Sequence, residues 1–198
     1  MFAEPWVERF VLPNPFLLAL ISPLREFGVE LTDFSFNKDA ANVGENCLNV
    51  SIRRLNAVVR VGLDAVTFVA ANPAWDLAPQ LVAAFNGVSD RIRGIVGVSP
   101  RSQEATLAFH VISGFSDFGK ATAKLVNRDA VGECVFSGVS LYRSDMVLVI
   151  DKSLRHTGAA FVRLQRTFGG DTPFEEVAAR LYEDELAALR MLGISEVP

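Results

Sequence analysis

The chain has only two histidines, His110 and His156, so any acid–base or metal scheme that needs imidazole must use one of them. His110 lies in the alternating run Leu107-Ala-Phe-His-Val111 and shares a strand face with Thr106, Ala108 and Ile112, a side that is small and partly apolar. An imidazole there reads as a hydrogen-bonded, half-buried group, or as the polar contact of a ligand cavity. The aromatic residues nominated to line such a cavity with it are Trp75, Phe109, Phe136 and Phe161. His156 belongs to Lys152-Ser-Leu-Arg-His156, a stretch expected to turn in solvent. With Arg163 and Arg166 from the next strand, Lys152, Arg155 and His156 make a cationic patch suited to an acidic protein partner or a phosphorylated ligand. The plainer reading of that patch is solubility and pairing with an acidic C-terminal helix. Strand parity sends Arg163 and Arg166 to opposite faces unless a bulge intervenes.

Other chemistries find little footing. The Gly-x-Ser-x-Gly elbow of a serine hydrolase is absent, and Ser113 and Ser137 have no base that sequence alone can bring to them. Asp145 and Asp151 flank an apolar strand on one face, but six residues of strand separate them by about 20 Å. Two glycosidase carboxylates stand much closer. Gly94-Ile-Val-Gly97 falls at a helix end, and Phe168-Gly-Gly-Asp171 lacks the Lys-Ser/Thr of a phosphate loop. Cys47 and Cys134 form neither a CxxC pair nor a zinc-ligand spacing, and each sits in an apolar run as a reduced, buried residue would. No catalytic residue, metal site or cofactor is therefore assigned, and a non-catalytic role is expected.

Composition narrows the field further. Half of the 198 residues are hydrophobic and 21% are charged, the balance of a filled globular core rather than a disordered chain. Fifteen Phe stand against two Tyr and two Trp, so a dry core or an apolar face given to a partner must absorb them. The net charge of −4 belongs to the C-terminal segment: from Asp171 onward seven acidic residues meet only Arg180 and Arg190. The preceding 170 residues hold 17 basic and 16 acidic groups, and a neutral surface of that kind does not suit nucleic acid. Glu4 and Glu8 stand where a signal peptide needs positive charge, and Phe16–Ile21 is far shorter than the roughly 20 residues that span a bilayer. No membrane insertion and a cytoplasmic location are expected.

The elements that must position these residues follow from periodicity. Phe16–Ile21 is a short buried helix or strand between prolines. Val29–Phe36 reads as a strand whose alternation changes phase at Asp33, as a bulge would produce. Leu48/Val50/Ile52, Val59/Val61/Leu63 and Val66/Phe68/Ala70 alternate with more polar neighbours and predict an antiparallel meander. From Trp75 to Val96 the apolar residues recur at helical spacing, with Gly87 a possible interruption. Strands are expected at Leu107–Val111, Val131–Tyr142, Asp145–Asp151 and Ala159–Phe168, with a short helix over 115–126. Thr172-Pro-Phe-Glu175 predicts a capped helix start with Thr172 as N-cap, and the helix should stop at Gly193. Glu183, Asp184 and Glu185 read as its solvated face.

The fold class is therefore α+β: a curved, mainly antiparallel sheet covered on one face by two long helices, helix-grip-like or built from pseudo-duplicated strands-then-helix. A single domain over 1–198 is expected, with topological halves at 47–98 and 105–193. The leading functional expectation is an interaction protein that self-associates or holds a protein partner through a sheet edge or apolar surface. The alternative is a binder of an apolar small molecule in a cavity between sheet and helices.

Overall fold

The computed structural model describes residues 13–37, 46–62, 64–97, 99–112 and 138–194. Phe136, Cys134 and the helix expected over 115–126 lie outside them, as does the first part of the strand expected from Val131. The fold is α+β, with two antiparallel four-stranded sheets and three α-helices among the described residues. The strands thus divide between two sheets, and a helix at Pro13–Leu24 joins the two longer ones that periodicity predicts. The chain separates into two compact units, one of residues 1–102 and 169–178, the other of 103–168 and 179–198.

In the first unit, α1 (Pro13–Leu24) precedes β1 (Phe34–Asn37), β2 (Cys47–Ile52), β3 (Ala57–Val61) and β4 (Val66–Ala70), which form a meander in the order β1-β2-β3-β4. The phase change at Asp33 is a 3-10 turn, Leu31–Asp33, rather than a bulge, so the strand begins only at Phe34. Register explains the core. Phe34 pairs with Val50, Val50 with Val59 and Val59 with Phe68, so one apolar row crosses all four strands. That row joins Leu20, Leu24, Leu81, Ala84, Val88 and Ile92 in one cluster. Val50, Val59, Val88 and Ile92 are fully buried, each stabilising the fold by about 1.5–3 kcal/mol relative to exposure.

The helical residues of that cluster come from α2 (Ala78–Val96), which runs through Gly87 without interruption. Gly87 is where Pro23 of α1 approaches most closely: a Cβ there would lie 2.7 Å from the proline Cβ. The helix ends at Gly97, whose φ of 71° takes the left-handed cap that glycine adopts without steric cost.

In the second unit, β5 (Ser102–Ile112), β6 (Gly138–Tyr142), β7 (Met146–Lys152) and β8 (Ala159–Gly169) form a sheet in the order β5-β8-β7-β6. The continuous apolar β7 is interior, flanked by β8 and β6 in unbroken register. The even residues Leu148, Ile150, Ala160, Val162 and Leu164 pack with Val111, with Ala188 of α3 (Phe174–Met191) and with Leu192 in the turn just beyond it. The opposite face carries His110, Phe161, Arg163, Val147 and Val149, by the alternation of strand side chains. The start of α3 lies one residue later than expected: Pro173 O accepts from Glu176 N and Val177 N, which puts Pro173 at the capping position. Its end is as predicted, with Gly193 at φ 81° and Ile194 N donating back to Leu189 O. Among the described residues no helix is long and apolar enough to cross a membrane.

Candidate functional site

The turn between β7 and β8 is built around Ser153. Its side chain is buried, and its Oγ accepts hydrogen bonds from Arg155 N at 3.2 Å and His156 N at 3.0 Å. Serine favours this arrangement because its hydroxyl replaces a backbone acceptor in a tight turn. Ser153 N donates to Ala159 O at 2.9 Å and closes the base of the turn. The same Oγ lies 3.0 Å from His110 Nδ1. A hydroxyl offers one donor and two acceptor sites, and the two amides use both acceptor sites. Ser153 therefore donates its proton to Nδ1, and a neutral His110 carries its own proton on Nε2.

Around that bond the two histidines of the chain meet. Their rings stand edge to face with centroids 5.1 Å apart, and Phe161 lies 5.2 Å from His110. The separation of 3.0 Å is that of a nucleophile and its base, yet the oxygen's lone pairs point at two amides and the hydroxyl is shielded from solvent. The bond instead orients the imidazole and presents an N–H donor on the sheet face that carries Phe161. Ser153→Ala would orphan two amides, and we expect a loss of about 1–3 kcal/mol of stability. Imidazole 15N spectra of the neutral ring should show a bare Nδ1 on His110 in the parent protein and mixed tautomers in the variant. A neutral His110 ring that carries its proton on Nδ1 in the parent would contradict the assignment.

The second polar cluster is an ion-pair knot on the helix-facing side of the sheet. Arg166, 7% exposed, donates from Nε to Asp184 Oδ2 at 2.8 Å and from NH2 to Asp184 Oδ1 at 2.7 Å. Its NH1 pairs with Asp145, which Arg143 also approaches at 3.3 Å. The Asp184 hydrogen bonds, ahead of the opposing effect of burial, hold the guanidinium above its ordinary value. The ladder from Met146↔Arg166 to Lys152↔Ala160 is continuous, so no bulge turns Arg166 outward and it shares the face of Val162 and Leu164. Arg166 thus leaves the cationic patch, and Asp184 leaves the solvated face of α3, because each neutralises the other inside the fold.

The remaining nominated residues are placed as follows. Lys152, Arg155 and His156 are exposed in or beside the β7–β8 turn, and Arg163 is exposed opposite Val149 on the outer face. His110 and Phe161, nominated for a ligand, join His156, nominated for an anion or partner, at one corner of the sheet. Phe109 packs with the helix-covered core and Phe161 lies on the opposite face, so these two do not line one cavity. Trp75 belongs to the first unit, in the 3-10 turn Trp75–Leu77. Ser153 gave no signal as the partner of His110, since 43 residues separate them; its place two residues before Arg155 in a turn was the only legible hint.

Cys47 is a buried free thiol, as expected. It lies on the face of the first sheet away from the apolar row and accepts a hydrogen bond from Arg60 Nε at 3.1 Å. Among the described residues no three or more His, Cys, Asp or Glu group closely enough to hold a metal ion.

The edges of the sheets differ in kind. β1, β4 and β6 have four, five and five residues, whereas β5 has eleven and is paired on one side only, by β8, among the described residues. Its solvent-facing residues Glu104, Thr106 and Ala108 are exposed, and Ile112 is 71% exposed. No known protein family matches the chain, and no curated protein or solved structure is similar to it.

Proposed function

We propose that the protein is a non-catalytic interaction module that self-associates through the outer edge of β5, from Glu104 to Ile112. The observation that carries this reading is the length of that edge together with its lack of protection. Exposed strand edges are ordinarily blunted by brevity, proline, inward charge or a bulge, because an open row of N–H and C=O groups is a template for another strand. The other three edge strands are short. From Glu104 to Ile112 β5 extends for about 30 Å, and between Glu104 and His110 it has neither a charge nor a proline. Pairing with a second copy satisfies those groups and continues the sheet across both chains.

A reducing compartment such as the cytoplasm suits this reading, since Cys47 is held as a free thiol against Arg60. The test is sedimentation equilibrium of the full chain beside the double variant Thr106→Lys/Ala108→Lys. Both positions are exposed, so the fold should tolerate the change while lysines line the edge. We expect a dimer in the parent and a dissociation constant raised on the order of tenfold or more in the variant. A parent that stays monomeric at high concentration refutes the reading, as does a dimer indifferent to the lysines.

A further inference from the structure

We infer that the corner of the second sheet at the β7–β8 turn is a binding site for a phosphate monoester, held by the Nε2–H of His110 together with the side chains of Lys152, Arg155, His156 and Arg163. This stands apart from the self-association proposed above and needs no second copy of the chain.

One buried oxygen positions the site. Ser153 Oγ accepts from the backbone of Arg155 and of His156 and donates to His110 Nδ1, so a single hydroxyl fixes two residues of the turn and an imidazole from β5. His110 is left with Nε2–H, a donor that the neutral ring offers without taking up a further proton. His156 stands edge to face with it at 5.1 Å, and Phe161 backs it at 5.2 Å. Donors held in place before a ligand arrives lose little freedom when it binds.

The charge around that donor is open. Lys152 comes directly before Ser153 and Arg155 two residues after it, while Arg163 lies two residues along β8 from Phe161, about 7 Å away on the same face. All three are exposed, and among the described residues none of them forms an ion pair, whereas Arg53, Arg143, Arg166 and Arg180 each meet a carboxylate. The carboxylate beside them is Asp151, which pairs with Phe161 and whose Oδ1 accepts from Lys152 N at 2.7 Å.

Three cations against that carboxylate leave a local charge of +2 with both imidazoles neutral. A phosphate monoester carries about −1.5 to −2 near pH 7, so the two balance. Its three oxygens accept from several directions at once, and a guanidinium can take two of them as a planar fork. The sequence alone grouped Arg166 with this patch; the structure withdraws Arg166 to the interior and supplies His110 in its stead, from 43 residues before Ser153.

Titration of the full chain with O-phosphoserine, followed by imidazole 15N and backbone amide spectra, tests the site. Saturable shifts are expected at His110 Nε2, at the His156 ring and at the Arg155 amide. Arg155→Gln/Arg163→Gln changes two exposed positions, so the remaining spectrum should persist while the dissociation constant rises on the order of tenfold or more, as charge-assisted hydrogen bonds are lost. His110→Phe keeps a ring beside Phe161 without the donor and should weaken binding by a similar factor. Arg54→Gln/Arg91→Gln removes the same charge from exposed positions of the first unit and should leave binding unchanged. A glycine-flanked phosphoserine pentapeptide identifies the source of the phosphate: tighter binding than O-phosphoserine assigns the site to phosphorylated protein, and equal or weaker binding assigns it to a small phosphate monoester. The absence of a saturable shift at His110, or a loss in Arg54→Gln/Arg91→Gln as large as in Arg155→Gln/Arg163→Gln, overturns the site. Neither result bears on the dimer, which sedimentation reads separately.

Discussion

Asp184→Ala is expected to destabilise the protein by about 3–5 kcal/mol, a large share of the total stability of a chain this size. The reason is what it leaves behind. Arg166 lies beneath α3 with Nε and NH2 both on Asp184, and Asp145 reaches only NH1. Removing Asp184 strands most of a guanidinium among Val162, Leu164 and the residues of α3, where water reaches it poorly. Glu183→Ala next door removes an exposed pair with Arg180 and should move stability by no more than about 0.5 kcal/mol.

Urea denaturation of the two variants makes the comparison, and equal midpoints would sink the assignment of Arg166 to the interior. The knot should also be replaceable. Arg166→Met combined with Asp184→Leu removes both charges together and should recover most of the loss, because apolar side chains of similar volume avoid the desolvation cost. The linkage has a definite sign. A guanidinium held above its unfolded value contributes stability that is fully present below that value and lost only as pH rises through the folded one. The arginine side of the knot therefore contributes no pH dependence in the neutral or acid range.

Gly170→Ala is the second large effect. Gly170 is buried in the turn before α3, and a Cβ there would lie 1.8 Å from the carbonyl oxygen of Pro100 and 2.9 Å from Arg101 C. Both are backbone atoms, so no rotamer change relieves the overlap and the chain itself must move. The expected cost is at or above the upper end of the roughly 1–3 kcal/mol typical of overpacking. The displacement should also disturb Arg93, whose NH2 reaches Gly170 O at 3.4 Å. Gly94→Ala is the matched control: nothing lies within 4 Å of its Cβ position, and the helix should gain up to about 1 kcal/mol. Thermal melts of the two variants should move in opposite directions, and a neutral Gly170→Ala would show that the turn does not pack against Pro100.

Both effects concern residues whose partners are distant along the chain, and that divides what could be read early from what could not. The meander from Cys47 to Ala70 was legible because alternation is local: each strand reports its own buried face, and short turns force antiparallel neighbours. The helices at Ala78–Val96 and Phe174–Met191 were legible for the same reason, as was the stop of the second at Gly193, whereas Gly94 and Gly97 left the stop of the first open until the structure put it at Gly97. The phase change at Asp33 misled, since a 3-10 turn and a bulge both shift alternation by one residue.

The candidate site was legible only in part. Strand parity foresaw that Arg163 and Arg166 would part, but not that Arg166 would find Asp184 on the last helix. It placed His110 on the face opposite Phe109 without showing that Ser153 and His156 would meet it there.

The sequence by itself determined the periodic elements, their buried faces and the absence of a recognisable catalytic motif, because these depend on residues a few positions apart. Only the tertiary structure decided which strands became edges, that β5 would be the long one, and which charges would be neutralised inside. Those outcomes depend on the order in which strands pair, and strand order is set by long-range burial that no local period encodes.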